Sequence, residues 1–161
     1  MGDNGVDLFR DTPVRLLGYA NEVGEAFRSL VHVNWVRLTY GISSAYVLAD
    51  TYDKASKASA VPYKTEANRN TAVMSVAADT LIWQAFASVI VPGYTINRVC
   101  ACSNYALARM TKMPSITRKW ITTAIGLSCI PIIFRPIDHM VDYIMDNSVR
   151  IILPAPQSRE D

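Results

Sequence analysis

From Thr71 to Val91 the sequence TAVMSVAADTLIWQAFASVIV carries one ionisable group, Asp79, in 21 residues. A helix of that length crosses the roughly 30 Å hydrocarbon core of a bilayer, and Pro92-Gly93 is predicted to end it there. Three further apolar runs share the chain. Val31–Ala49 has the length of a span but contains His32, Asn34 and Arg37. Thr95–Ala108 is rich in small residues and holds Asn97, Arg98, Ser103 and Asn104, so it is ill suited to facing lipid on every side. Trp120–Phe134 is uncharged, with Arg118 and Lys119 before it and Arg135 after it, cations and an aromatic that suit the headgroup layer.

These runs predict an all-α, multi-pass transmembrane helical bundle of three to four spans, about 31–49, 71–91, 95–108 and 119–134, in a single membrane domain. Amphipathic helices are expected to flank it at both ends. In 13–30, Asp11 or Thr12 caps the first turn and Pro13 fits its start. Leu16, Tyr19/Ala20, Val23, Phe27 and Leu30 then form a stripe that packs on a core or lies in a membrane interface. In 136–152, Ile137, Met140/Val141, Ile144 and Ile151/Ile152 form another, with Pro131 and Pro136 expected to bend or break the chain before it. The polar stretch 50–70 reads as a loop, and no alternating pattern argues for a sheet. Half of the chain is hydrophobic, which excludes disorder, while a mean hydropathy of +0.13 leaves the membrane question to the distribution of residues. The balance of 16 basic and 14 acidic residues gives no reason to expect nucleic acid.

Charge placement offers a test. If all four runs cross, the loop with Lys54, Lys57, Lys64 and Arg69 shares a side with the loop holding Arg109, Lys112, Arg118 and Lys119. Both ends of the chain are acidic, each with five carboxylates against three cations. This sorting follows the positive-inside pattern and puts both termini on the side opposite the basic loops. The opening MGDNGVDLFRD has neither an apolar secretory core nor the Arg-rich character of a transit helix, so targeting is expected to be internal.

Asp79 is the sharpest candidate, because an ionisable group within a span is costly and has a partner or a function. With antiparallel first and second spans, Arg37 lies about 6 Å away in depth at 1.5 Å per residue, and Arg98 about 11 Å away across the Pro92-Gly93 turn. A register-fixing pair is the expected role, and a polar track through Asp79, Arg37, Arg98 and His32 is the alternative. Asp138, Asp142 and Asp146 line up at i, i+4 and i+8, a self-repelling stripe that faces solvent or a basic partner. Cys100 and Cys102 form C-x-C with Cys129 remote, and neither His32 nor His139 has ligand spacing, so buried thiols are expected rather than a metal site. No nucleophile elbow, phosphate loop or paired-carboxylate arrangement is present, so no enzyme and no cofactor is expected.

The stretches RLLGYANEVGEAFRSLV (15–31), SSAYVLADTYDK (43–54), VPGYTINRVCA (91–101) and RKWITTAIGLSCIPIIFRPID (118–138) resemble the mitochondrial fission process protein family, in order and spacing, over about Arg10 to Ile151. The resemblance implies a multi-pass inner-membrane protein acting in mitochondrial division and inner-membrane integrity, with links to respiratory coupling and no catalytic residues to transfer. The first nine residues, 55–70 and the tail after Leu153 diverge, so partner contacts made there do not carry over. The leading expectation is a non-enzymatic scaffold or adaptor whose partners are membrane lipids and other inner-membrane proteins, a respiratory-type complex, or itself. Gly41/Ala45 and the small residues of 95–108 favour close helix contacts. A small carrier or proton leak is the other reading.

Overall fold

The computed structural model describes Phe9 and residues 13–153, which are helical throughout apart from short turns. A 3-10 segment, Pro13–Tyr19, leads into α1 (Ala20–Phe27); α2 (Val33–Ala60), α3 (Glu66–Gln84), a π-helical stretch (Ala85–Ile90), α4 (Val91–Met110), α5 (Ser115–Asp146) and the short α6 (Val149–Ile152) follow. The predicted caps Asp11 and Thr12 lie outside the described residues.

The largest departure from expectation is at Pro92-Gly93, where no turn forms. α3, the π stretch and α4 run on as one helix of 45 residues, Glu66–Met110. Pro92 has no N–H to give, and the hydrogen bonding shifts just before it, with the Val91 N–H bonding the Phe86 carbonyl five residues back. The side chain of Asn21 donates to the Val89 carbonyl at 3.0 Å within this irregular stretch. Runs 71–91 and 95–108 are therefore consecutive parts of one rod, not two antiparallel crossings.

Two other boundaries move. α2 continues through the expected loop to Ala60, because alanines favour helix and Lys54 and Lys57 reach back to Asp50 and Asp53 at i, i+4, 2.8 and 2.7 Å. Only 61–65 remains as a connection, closed by Pro62 and by Thr65, which caps α3 through the Asn68 N–H. α5 passes through Pro131 and Pro136 without a break. Both prolines lie on its exposed side, where the lost hydrogen bonds and the rings disturb no packing.

Short connections make α2/α3 and α4/α5 antiparallel neighbours, and α1 packs against α2, α4 and α5. A small apolar core of Ala87, Ile137, Val141 and Met145 joins the π stretch to the second half of α5. Among the described residues two helices are long and apolar enough to cross a membrane, Glu66–Met110 and Ser115–Ile152, against the three to four spans expected. Their apolar stretches are only 17% and 22% buried within the protein, unlike core helices of a water-soluble domain. The first run does not qualify, since Asn34, Arg37, Thr39, Ser43 and Ser44 dilute it. At 1.5 Å per residue the 45-residue helix is about 67 Å long, over twice a hydrocarbon core, so its ends project beyond any crossing.

Candidate functional site

Among the described residues the interior of the bundle is half polar, and α1 supplies its Asn21, Glu22 and Glu25. Asn21, Glu22 and Glu25 are 0%, 1% and 3% exposed, whereas Leu16 of the predicted apolar stripe is 67% exposed and Val23 40%. The helix thus turns its polar face inward. It reaches that depth because glycines on its neighbours leave room. A Cβ on Gly93 would sit 2.6 Å from the Tyr40 hydroxyl and 2.9 Å from Asn21 Nδ2, and one on Gly126 would sit 3.1 Å from Ala26.

The polar groups mostly satisfy one another. The Asn21 N–H donates to Ser43 Oγ at 3.0 Å, and that hydroxyl donates to Asn21 Oδ1 at 2.9 Å. Glu25 accepts from Arg28 Nε and Nη2 at 2.7 and 2.6 Å, from the Tyr40 hydroxyl at 2.9 Å and from Asn97 Nδ2 at 2.8 Å. Burial pushes the Glu25 carboxyl up, but the bonds from Arg28, Asn97 and Tyr40 outweigh it and hold the group below the usual carboxylate range. Glu22 has no such company. Its Oε2 is unpartnered, and burial raises its carboxyl to about 8, against which one backbone hydrogen bond works only weakly.

A second polar knot joins α2 to the long helix. Asp50, 0% exposed, accepts from Gln84 and pairs with Lys54, and Gln84 in turn accepts from Ser88 Oγ. Beside it lies a cavity of about 20 Å³ lined by Arg15, Tyr19, Tyr46, Gln84, Ser88 and Asp138 among others, room for one water.

Asp79 does pair with an arginine, but the partner is Arg150 of α6, 2.7 Å away, rather than Arg37. Arg150 also binds Asp142 at 3.1 Å and Asp146 at 2.8 Å, and Trp83 Nε1 donates to Asp142 at 2.9 Å. Asp138 pairs with Arg15 at 3.4 Å. The predicted acidic stripe is therefore answered by cations of its own chain. The other candidates do not converge. Arg37 is exposed on α2; Arg98 is exposed, bonded to Asn97 and lying over the Tyr94 ring at 5.5 Å; His32 is exposed and caps α2 through the Asn34 N–H. No polar track links these three to Asp79. Against the expected buried thiols, Cys102 is exposed and Cys100 and Cys129 are half-buried, all three free, and among the described residues no His/Cys/Asp/Glu group is placed to hold a metal.

Sequence reasoning missed Asn21, Glu22, Glu25, Asp50 and Gln84. One signal was available: Gly18, Asn21, Glu22 and Glu25 recur at i, i+3, i+4 and i+7, a second stripe containing a glycine, as a helix needs where it packs closely through polar groups.

Among the described residues, glycine and proline aside, as many buried residues are polar or charged as are apolar, while Trp35, Leu38, Ile90, Tyr94, Ile132 and many other large apolar side chains are exposed. This defines an all-helical protein with a half-polar interior, many large apolar side chains outside and, among the described residues, two helices able to cross a membrane. The chain belongs to the mitochondrial 18 kDa protein (MTP18) family, whose model matches residues 9–145. It is 57% identical over 149 residues to mitochondrial fission process protein 1 of Homo sapiens, covering 92% of this chain and 89% of that one. The proteins of that name from Danio rerio and Caenorhabditis elegans are 54% and 47% identical, over 90% and 93% of this chain and 87% and 90% of theirs. No solved structure matches the chain.

Proposed function

We propose that this chain is an integral, non-enzymatic scaffold of the inner mitochondrial membrane that acts in mitochondrial fission. Its relatives carry the name fission process protein, which supports the mitochondrion and the process. The observation that carries the membrane part is the inverted polarity: Glu22, Glu25 and Asp50 are inside while large apolar residues are outside, an order stable only where hydrocarbon or protein surrounds the chain. In this reading the bundle contributes to inner-membrane integrity and respiratory coupling by binding other inner-membrane proteins or a respiratory-type complex through its apolar exterior.

Alkaline carbonate extraction of mitochondria, with inner and outer membranes separated, tests the placement. The protein is expected in the inner-membrane pellet, and release into the supernatant would overturn the integral reading. Proteoliposomes separate scaffold from carrier. Proton and ion flux equal to that of empty vesicles is expected, and a flux abolished by Asp79→Asn would replace the scaffold with a leak pathway.

A further inference from the structure

A recess of about 150 Å³ opens between α1, α4 and α5, with Glu25, Arg28, Asn97, Cys100, Asn104 and Thr122 in its wall. Its chemistry is that of a donor set lacking an acceptor. Thr122 is 2% exposed, and its Oγ1 has no hydrogen-bond partner. Arg28 spends Nε and Nη2 on Glu25, leaving Nη1, and Arg118 spends Nε on Asn104 at 2.9 Å, leaving both Nη groups. Glu25, the one carboxylate in the wall, already accepts four hydrogen bonds and has nothing to offer a cation. Apart from Glu25, which α1 supplies, the charge beside the recess is cationic: α4, the 111–114 connection and the first half of α5 carry no acidic residue, while Arg109, Lys112, Arg118 and Lys119 lie there. The group that such a wall accepts is an oxyanion with several acceptor oxygens.

The surroundings decide its source. Phe27 and Trp120 meet edge to face beside the recess, ring centroids 6.5 Å apart, and Trp120 and Ile116 are 56% and 55% exposed. An exposed tryptophan next to Arg118 and Lys119, at the start of a helix apolar enough to cross a membrane, marks the depth of lipid headgroups. We propose that this recess seats the phosphate of an anionic phospholipid, with the Arg28 and Arg118 guanidiniums on its oxygens and the Thr122 hydroxyl donating from the floor. The proposal rests on the membrane reading above.

The test uses the full-length protein with Trp35→Phe, so that Trp120 dominates the lipid-exposed fluorescence, in phosphatidylcholine vesicles containing an equal small fraction of bromine-chain phosphatidylglycerol or bromine-chain phosphatidylcholine. Phosphatidylglycerol is expected to quench at about fivefold lower content, the preference that one or two interfacial arginines supply. Arg118→Gln and the near-isosteric Thr122→Val are each expected to reduce that preference severalfold. Thr122→Val also removes an unpartnered hydroxyl, so its melting temperature stays level or rises, which separates a lost site from a lost fold. Millimolar inorganic phosphate is expected to leave the quenching unchanged. Equal quenching by the two lipids, a preference intact in both variants, or competition by phosphate would overturn the proposal while leaving the membrane reading in place. Quenching by neither lipid would overturn the membrane reading and this site with it.

Discussion

A carboxyl group that is 1% exposed, with one oxygen unpartnered, is costly in either protonation state, and Glu22 lowers the cost by keeping its proton. Its folded value of about 8 against 4.5 for a free carboxyl means that between those values the folded chain holds a proton the unfolded chain has released. Stability therefore falls as pH rises through that window, by at most about 1.4 kcal/mol per pH unit, and levels off above it. Glu25 acts with the opposite sign: its carboxyl is held low, so its contribution is present above the usual carboxylate range and lost in acid. Thermal unfolding of the purified protein is thus expected to peak in mildly acidic solution and decline towards alkaline pH. Glu22→Gln flattens the decline between about pH 4.5 and 8, and an unchanged slope in that variant would assign the pH dependence elsewhere. Arg150 is a third residue-scale case. It is a third exposed and screened, yet it stands among Asp79, Asp142 and Asp146, so Arg150→Gln exposes their mutual repulsion and costs about 1–2 kcal/mol. Arg37→Gln, on an exposed surface, stays within about 0.5 kcal/mol in the same unfolding measurement. Comparable losses from the two substitutions would restore Arg37 as a partner of Asp79.

At the scale of elements, two glycines make opposite predictions. A Cβ on Gly93 meets the Tyr40 hydroxyl at 2.6 Å, and Tyr40 holds Glu25, so Gly93→Ala forces α1, α2 and α4 apart. The expected loss is about 1–3 kcal/mol, more than the roughly 1 kcal/mol that alanine returns as a better helix former. Gly41 has nothing within 4 Å, so Gly41→Ala gains about 0.5–1 kcal/mol. Denaturant unfolding followed by circular dichroism ranks the pair, and a neutral Gly93→Ala would mean that α1 sits less deeply. Gly41 also shows what a small-residue spacing conveys: read as a contact point, it makes none within the chain. Helices as such were legible, since periodicity and the lack of strand patterns need only local information. The interruptions were not, because Pro92 is carried by a local shift to π-type bonding, Val91 N–H to the Phe86 carbonyl, which no residue pattern announces. The direction of α1 was hidden for a related reason. An amphipathic pattern fixes two faces but not which one is buried, and here the polar face of α1 is the buried one. Asp79 was legible as a residue needing a cation; its partner was not, because Arg150 lies in a four-residue helix beyond every predicted span.

For the whole molecule, the continuity of Glu66–Met110 changes what its charges mean. The loops 61–65 and 111–114 lie at opposite ends of one helix, so a crossing by that helix puts them on opposite sides, where a four-span count put them on one. The charges regroup accordingly. Around 111–114 the helices are purely cationic, with Arg109, Lys112, Arg118 and Lys119, whereas around 61–65 Lys54, Lys57, Lys64 and Arg69 are interleaved with Asp50, Asp53 and Glu66. If the protein spans the inner membrane as proposed, the positive-inside tendency predicts the first of these ends on the matrix side and 61–65 across the membrane. A single-cysteine experiment separates the two arrangements. With Cys100, Cys102 and Cys129 replaced by serine, Thr65→Cys and Lys112→Cys are labelled in mitoplasts by a membrane-impermeant maleimide. Residue 65 is expected to react in intact mitoplasts and residue 112 only after the membrane is permeabilised. Reaction of both from one side would mean that the chain turns back near Pro92 in a bilayer. Asn21 would then lose the Val89 carbonyl, and α1 the neighbours that bury Glu22, so the same variants would also lose the decline in stability between about pH 4.5 and 8. Topology and the Glu22 titration are thereby tied to one another, and agreement between the two measurements is a stronger test of this fold than either alone.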